Sequence, residues 1–242
     1  MRKRLTILGI VFAVVGLGFM AGGGYAYLRI QEGYDSLQAF SEAQNVTLSY
    51  NEDGQLIDRG TTEGAEAIMD LLENEWQYPV VEGDLDPSDP LVNTGTEYMY
   101  QMATIVHHTT SGTVEVTLDE TVEYDGQVYE PGTYEVELDG RYWTEFDRMS
   151  PLDGPAREAA WSGTVHGLVG ELGVGTVTHS SLQMGLGVSV LLAGLGLTFM
   201  LLGGGMAWVA RGKREDQQGR VPDTVPQELV DEHKSTEAVP AG

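Results

Sequence analysis

Four histidines, His107, His108, His166 and His179, lie in a stretch that carries 30 carboxylates between Arg29 and Gln183. Imidazole together with carboxylate is the material of a zinc or non-haem iron site, so His107, His108 and His166 are the candidate ligands of a His-held metal. Their spacing is uninformative: His107 and His108 are neighbours, about 100° apart on a helix, and no HExxH or i, i+4 histidine pair exists. The segment EGDLDPSDP gathers Asp84, Asp86, Ser88 and Asp89, oxygen-rich in the manner of a calcium loop. An EF-hand loop begun at Asp84 needs Gly at its sixth position and Glu at its twelfth, where Asp89 and Gly95 stand. Irregular Ca2+ binding at Asp84, Asp86 and Asp89 and a solvated acidic loop are the alternatives.

Other chemistries lack their signatures. The chain has no cysteine, which excludes thiolate catalysis, disulfides and Cys-held metals. There is no GxSxG elbow for a serine nucleophile, and Ser180 and Ser181 beside His179 lie just before an apolar segment. GxxxxGK[ST] and a GxGxxG after a strand are absent. Tyr124, Tyr129, Tyr134, Tyr142 and Trp143 could bind a ligand, or pair across strands to pack a small sheet. No cofactor is expected from these patterns, with Ca2+ or a His-ligated metal as the exceptions.

Charge narrows the partners. The formal net charge is -24, and Arg29 to Gln183 holds five arginines and no lysine against its 30 carboxylates. Nucleic acid is therefore excluded as a partner of this stretch on electrostatic grounds, and cations are favoured.

Two uncharged runs frame the acidic stretch: Leu5 to Leu28, 24 residues, and Met184 to Val209, 26 residues. Each is long enough to cross about 30 Å of hydrocarbon at 1.5 Å per helical residue. Arg2, Lys3 and Arg4 precede the first run, and Arg211, Lys213 and Arg214 follow the second, so both termini are expected on the cytoplasmic side of the cell membrane. The competing reading of the first run is a cleaved signal peptide, with Gly24 and Ala26 as small residues near a cleavage point. The organisation predicted is a short cytoplasmic N-terminus (1–4), a first transmembrane helix (5–28), an acidic extracytoplasmic domain (29–183), a second transmembrane helix (184–209) and a disordered cytoplasmic tail (210–242).

Glycines within the spans form seams. Gly9, Gly16 and Gly23 recur every seven residues, drifting only about 20° per step on a helix, with Gly18 and Gly22 opposite. In the second span Gly187, Gly194 and Gly205 share one face, and Gly185, Gly196 and Gly203 the other. Small residues let membrane helices approach closely, so one seam is expected to join the two spans antiparallel and the other to receive a second copy or another membrane protein.

Between the spans the pattern is α+β. Ile30 to Gln44 reads as a polar continuation of the first helix, a stalk presenting Ile30, Tyr34, Leu37 and Phe40. Val46–Tyr50 and Gln55–Asp58 flank an Asn-Glu-Asp-Gly turn as a hairpin, followed by helices over Glu63–Glu75 and Glu97–Thr109. From Thr113 to Phe146 alternation of period two, with Asp-Gly and Pro-Gly turns, predicts an antiparallel meander of three or four strands. A last helix, starting near Pro155, leads into the second span.

The runs EYMYQMATIVHHT, VEYDGQVYEPGTYEVELDGRYW and GPAREAAWSGTVHGLVGELGVGTVTHSSLQMG resemble uncharacterised two-span membrane proteins of high-GC Gram-positive, actinobacterial, bacteria. Some of that group are labelled aromatic ring-opening dioxygenases. The label implies Fe(II) held by two His and a carboxylate, and the resemblance carries no catalytic residue onto this chain. Three functions follow: a non-enzymatic accessory or scaffold subunit with a membrane partner, an extracytoplasmic ligand- or cation-sensing module, and a metal-dependent enzyme built on His107 or His108 with His166.

Overall fold

The computed structural model describes residues 2–218. Among these it has five α-helices, α1 (Arg2–Gln44), α2 (Thr62–Asp70), α3 (Gly95–Thr110), α4 (Asp153–Ala160) and α5 (Gly163–Gln218), and four strands, β1 (Thr113–Leu118), β2 (Val122–Tyr124), β3 (Gln127–Tyr129) and β4 (Gly132–Glu137). The class is α+β, with small antiparallel sheets and two long apolar helices. Helices α1 and α5 are each long and apolar enough to cross a membrane. The expected disorder of the tail falls on residues outside those described from 219 onward; up to Gln218 the chain continues α5.

The described residues divide into two compact units: 2–24 with 191–218, and 25–190.

The first unit is two helical segments. Its large apolar residues point outward, with Val14, Leu17 and Leu201 each at least 60% exposed, while Gly9, Gly16, Gly23, Gly196 and Gly203 are buried. That inversion is what a helix pair shows when its surroundings are as apolar as its side chains.

The second unit has an ordinary core. Ile68, Leu72, Ala103 and Ala156 are fully buried, joined by Tyr98, Val106, Val116, Leu138, Phe146 and Trp161. Helix α2 presents Ala65 and Ile68 and passes directly into a π-helical turn, Leu71–Glu75, that buries Leu71 and Leu72. The Thr61 hydroxyl caps its start by accepting from the Gly64 amide.

Three sequence expectations are corrected here. Residues 30–44 are not a free-standing stalk: Leu37 enters the core, and the buried Ser41 hydroxyl meets the Tyr98 hydroxyl at 2.7 Å. Of the apolar stripe, Leu37 is buried and Ile30 and Tyr34 are half-buried, while Phe40 stays exposed. The turn at Asn51–Gly54 forms, with Gly54 at φ +76°, but its flanks make only isolated bridges, Tyr50 to Leu56 and Thr47 to Leu91.

The predicted meander is a nested pair instead. β1 pairs with β4, and β2 with β3, in two two-stranded sheets. Asp125 and Gly126, at φ +49° and +78°, close the β2–β3 hairpin in the two-residue turn that demands positive φ at both positions. Three residues, 119–121, then face two, 130–131, before pairing resumes at Leu118 and Gly132. The extra residue shifts register by one, and Pro131 has no amide for the ladder, so the hairpin breaks into two sheets where alternation alone reads as continuous.

Candidate functional site

The glycine seam is the most developed local arrangement in the first unit. A Cβ built on Gly9 would lie 2.7 Å from the Gly203 carbonyl oxygen, and one on Gly16 would lie 2.6 Å from that of Gly196. The reciprocal positions are as tight: a Cβ on Gly203 would run into the Gly9 oxygen, and one on Gly196 would meet the Gly16 oxygen at 2.6 Å. Glycine is required at all four, because any side chain would collide with backbone. As Gly9 pairs with Gly203 and Gly16 with Gly196, the segments run antiparallel. Phe199 stacks between Phe12 and Phe19, centroids 5.6 and 5.9 Å away, flanking the glycine contact.

The opposite face is open. Added Cβ atoms on Gly18, Gly22, Gly187, Gly194 and Gly205 would meet nothing within 4 Å. Thus Gly9 and Gly16 lie in the closed seam and Gly23 is buried, whereas among the described residues nothing comes within 4 Å of a Cβ on Gly187, Gly194 or Gly205. The face of α5 that closes in this unit is marked by a spacing of seven, Gly196, Gly203 and Ala210, matching Gly9, Gly16 and Gly23.

In the second unit α1 and α5 meet through side chains. The Leu182 side chain covers Gly33, and Ile30 lies on Gly185. Tyr98 lies flat enough on Gly175 that a Cβ there would come within 2.7 Å of its ring. Residue His179 is buried and its Nδ1 accepts the Gly95 amide at 3.0 Å, satisfying the first N–H of α3, with Tyr34 edge-on at 5.9 Å. Accepting at Nδ1 requires the neutral ring, and burial holds the imidazole below its ordinary value. The start of α3 is closed further by a reciprocal cap: Thr94 accepts from the Glu97 amide, and Glu97 Oε2 accepts from the amides of Asn93 and Thr94 at 3.0 and 2.9 Å. Burial raises the Glu97 carboxyl, and those hydrogen bonds oppose the rise. The pattern Thr-x-x-Glu at 94–97 is a sequence signature of such a cap.

The sequence-derived metal candidates are dispersed among structural duties. The His108 Nε2 donates to Asp58 Oδ1 at 2.9 Å, while His107 stands edge-on to His108 at 5.5 Å and is shifted down, chiefly by burial. His166 packs against Trp143 and Trp161, 4.9 and 5.8 Å between centroids. Among the described residues, no three His, Asp or Glu side chains gather into a group that could hold a metal ion. In the acidic loop Asp86 Oδ1 accepts from the Ser88 amide and hydroxyl, 2.8 and 2.7 Å, in an Asx-type turn. The aromatic residues divide: Tyr129 and Tyr134 meet edge-on, Tyr142 stacks on Trp161, and the Arg157 guanidinium lies 3.5 Å above Trp143. A hollow of about 490 Å3 beside them is lined by Tyr124, Asp125, Glu135, Glu137, Arg141 and Asp147 among others.

No protein-family model matches the chain, and neither a curated protein nor a solved structure is significantly similar to it.

Proposed function

We propose that this chain is a non-enzymatic membrane component, an accessory or scaffold subunit that associates through its two spans with another membrane protein or with a second copy. One observation carries this reading: glycine seams on both helices divide into a face closed within the chain and a face left open. Four glycines are used where backbone touches backbone. Five more on the same helices have no such contact among the described residues, and close approach of a further helix is what they permit. The exposed Leu and Val residues around them suit hydrocarbon.

In this reading 5–28 and 184–209 span the cell membrane and residues 29–183 lie outside. The bases at 2–4 and at 211–214 support cytoplasmic termini. Because the chain has no cysteine, single-cysteine reporters test the topology directly: Ser111→Cys should react with an impermeant maleimide on intact cells, and failure to do so before lysis would invert the topology.

Purification from native membranes in mild detergent tests the function. A stoichiometric membrane partner or a defined oligomer is the expected outcome, weakened by Gly18→Val or Gly194→Val. A solitary monomer with no partner would overturn the reading. The cation-sensing alternative has in its favour the carboxylate-lined hollow at Tyr124 and Asp147. It requires that Ca2+ raise the thermal stability of the protein.

A further inference from the structure

The nested pair of sheets leaves one side of β4 without a neighbouring strand, because β4 pairs with β1 alone. At the end of that ladder the Leu138 amide donates to the Gly112 carbonyl oxygen, so Leu138, Val136, Tyr134 and Gly132 turn their backbone groups toward β1. The residues between them, Thr133, Glu135 and Glu137, turn theirs the other way. The Arg141 guanidinium donates to the Glu137 carbonyl oxygen at 2.6 Å, as an outward carbonyl allows. Among the described residues, the amides of Thr133, Glu135 and Glu137 and the carbonyls of Thr133 and Glu135 have no backbone partner. The hollow of about 490 Å3 lies against this edge, lined by Glu135, Glu137 and Arg141 and by Tyr124, Asp125 and Tyr129 of the β2–β3 hairpin. Asp125, Glu135 and Glu137 are exposed, and none of the three is in an ion pair among the described residues.

We infer that this edge takes an extended basic segment of a partner protein as a third, antiparallel strand beside β4, with lysine or arginine at every second position. Unpaired strand edges bind extended peptides through backbone hydrogen bonds, while alternate side chains select the sequence. Glu135 and Glu137 stand two apart and so face the same side of the sheet, where an added strand presents its own alternate side chains. Charge decides the occupant. Opposite charges across a strand pair attract and like charges repel. A second copy would bring Glu135 and Glu137 edge to edge with their counterparts, and the stretch from Arg29 to Gln183 has no lysine to offer. A segment with alternating bases meets carboxylates instead. The edge and the hollow lie wholly within residues 25–190, so the inference stands apart from how α1 and α5 associate.

The test uses the full chain in detergent micelles and the labelled peptide Thr-Lys-Val-Lys-Val-Lys-Thr, read by fluorescence anisotropy and by hydrogen exchange. The peptide should bind and protect the amides of Thr133, Glu135 and Glu137. Glu135→Gln and Glu137→Gln should each weaken binding about fivefold. Glu66→Gln removes the same charge from an exposed position on α2 and should change it less than about twofold. With lysine opposite glutamate, the lysine amides face β4 and the valine amides face away. N-methylation at lysine should therefore weaken binding more than about tenfold, and N-methylation at valine less than about twofold. The methylated peptides leave the protein unaltered, so their outcome stands whatever the substitutions do to folding. Equal effects of the two methylations, or equal losses in Glu66→Gln and Glu135→Gln, would overturn strand addition in favour of diffuse charge. Absence of binding would overturn the site. Protection of the same amides without peptide, rising with protein concentration, would make the occupant a second copy and overturn the basic segment.

Discussion

The two units solve the same packing problem with opposite materials. In the first, α1 and α5 meet where side chains are missing, at Gly9, Gly16, Gly196 and Gly203, and the bulky residues face out. In the second, the buried positions include Ile68, Leu72, Tyr98, Val106 and Trp161, and of the described carboxylates only Glu97 is buried. On the proposed membrane-spanning reading, the difference reflects the solvent. Burying Leu or Ile releases water and contributes roughly 1.5–3 kcal/mol per side chain in an aqueous domain. In hydrocarbon that gain vanishes, and close contact between backbones becomes the available attraction.

Breaking each unit by its own weakness tests that contrast. The largest effect is expected for Leu72→Ala, which empties a fully buried site and should cost about 2–5 kcal/mol in denaturation followed by tryptophan fluorescence. It should open the second unit to protease and leave membrane insertion unchanged. Gly16→Val drives a side chain into the Gly196 backbone and should cost about 1–3 kcal/mol, read as loss of cross-linking between cysteines placed on the two spans. If Gly16→Val were as mild as Gly18→Val, the closed seam would lose its meaning.

Removing the reciprocal cap with Glu97→Ala leaves the amides of Asn93 and Thr94 without their acceptor, and should lower the melting temperature by the equivalent of about 1–2 kcal/mol. The pH response is smaller. His179 is held below its ordinary 6.5 in the folded protein, so the unfolded chain takes up its proton first as pH falls. Its contribution is therefore full above about 6.5 and declines below it. His179→Asn keeps an acceptor for the Gly95 amide and removes the titration. The difference between wild type and variant from pH 7 to 5 isolates this ring from His107, shifted the same way, and from Glu97, whose raised carboxyl acts in the opposite sense. A parallel pair of stability curves would exclude the role assigned to His179. The smallest effect on folding belongs to Gly18→Val, within about 0.5 kcal/mol, although it should weaken association between copies or with a partner.

Much of the second unit was legible in local pattern. The spacing of Ile68, Leu71 and Leu72 marks a buried helical face, and all three are buried; Tyr98 and Val106 mark the same for α3. The seams were legible as well, because a spacing of seven is a property of one helix. Strand partnership was not. Val114, Val116 and Leu118 alternate identically whether they pair with the next strand or with β4, and only the one-residue excess at 119–121 decides the register. His179 was equally opaque, since its partner amide lies 84 residues away at Gly95.

Composition and period by themselves determined that this chain has two apolar helices, an acidic α+β region between them in sequence, and glycine on two faces of each helix, because these features depend on residues within a few turns of one another. Tertiary structure alone decided which glycine face closes and where the histidines go. Those outcomes depend on contacts between residues far apart in the chain, where geometry set by the whole fold selects among partners that local spacing leaves equal.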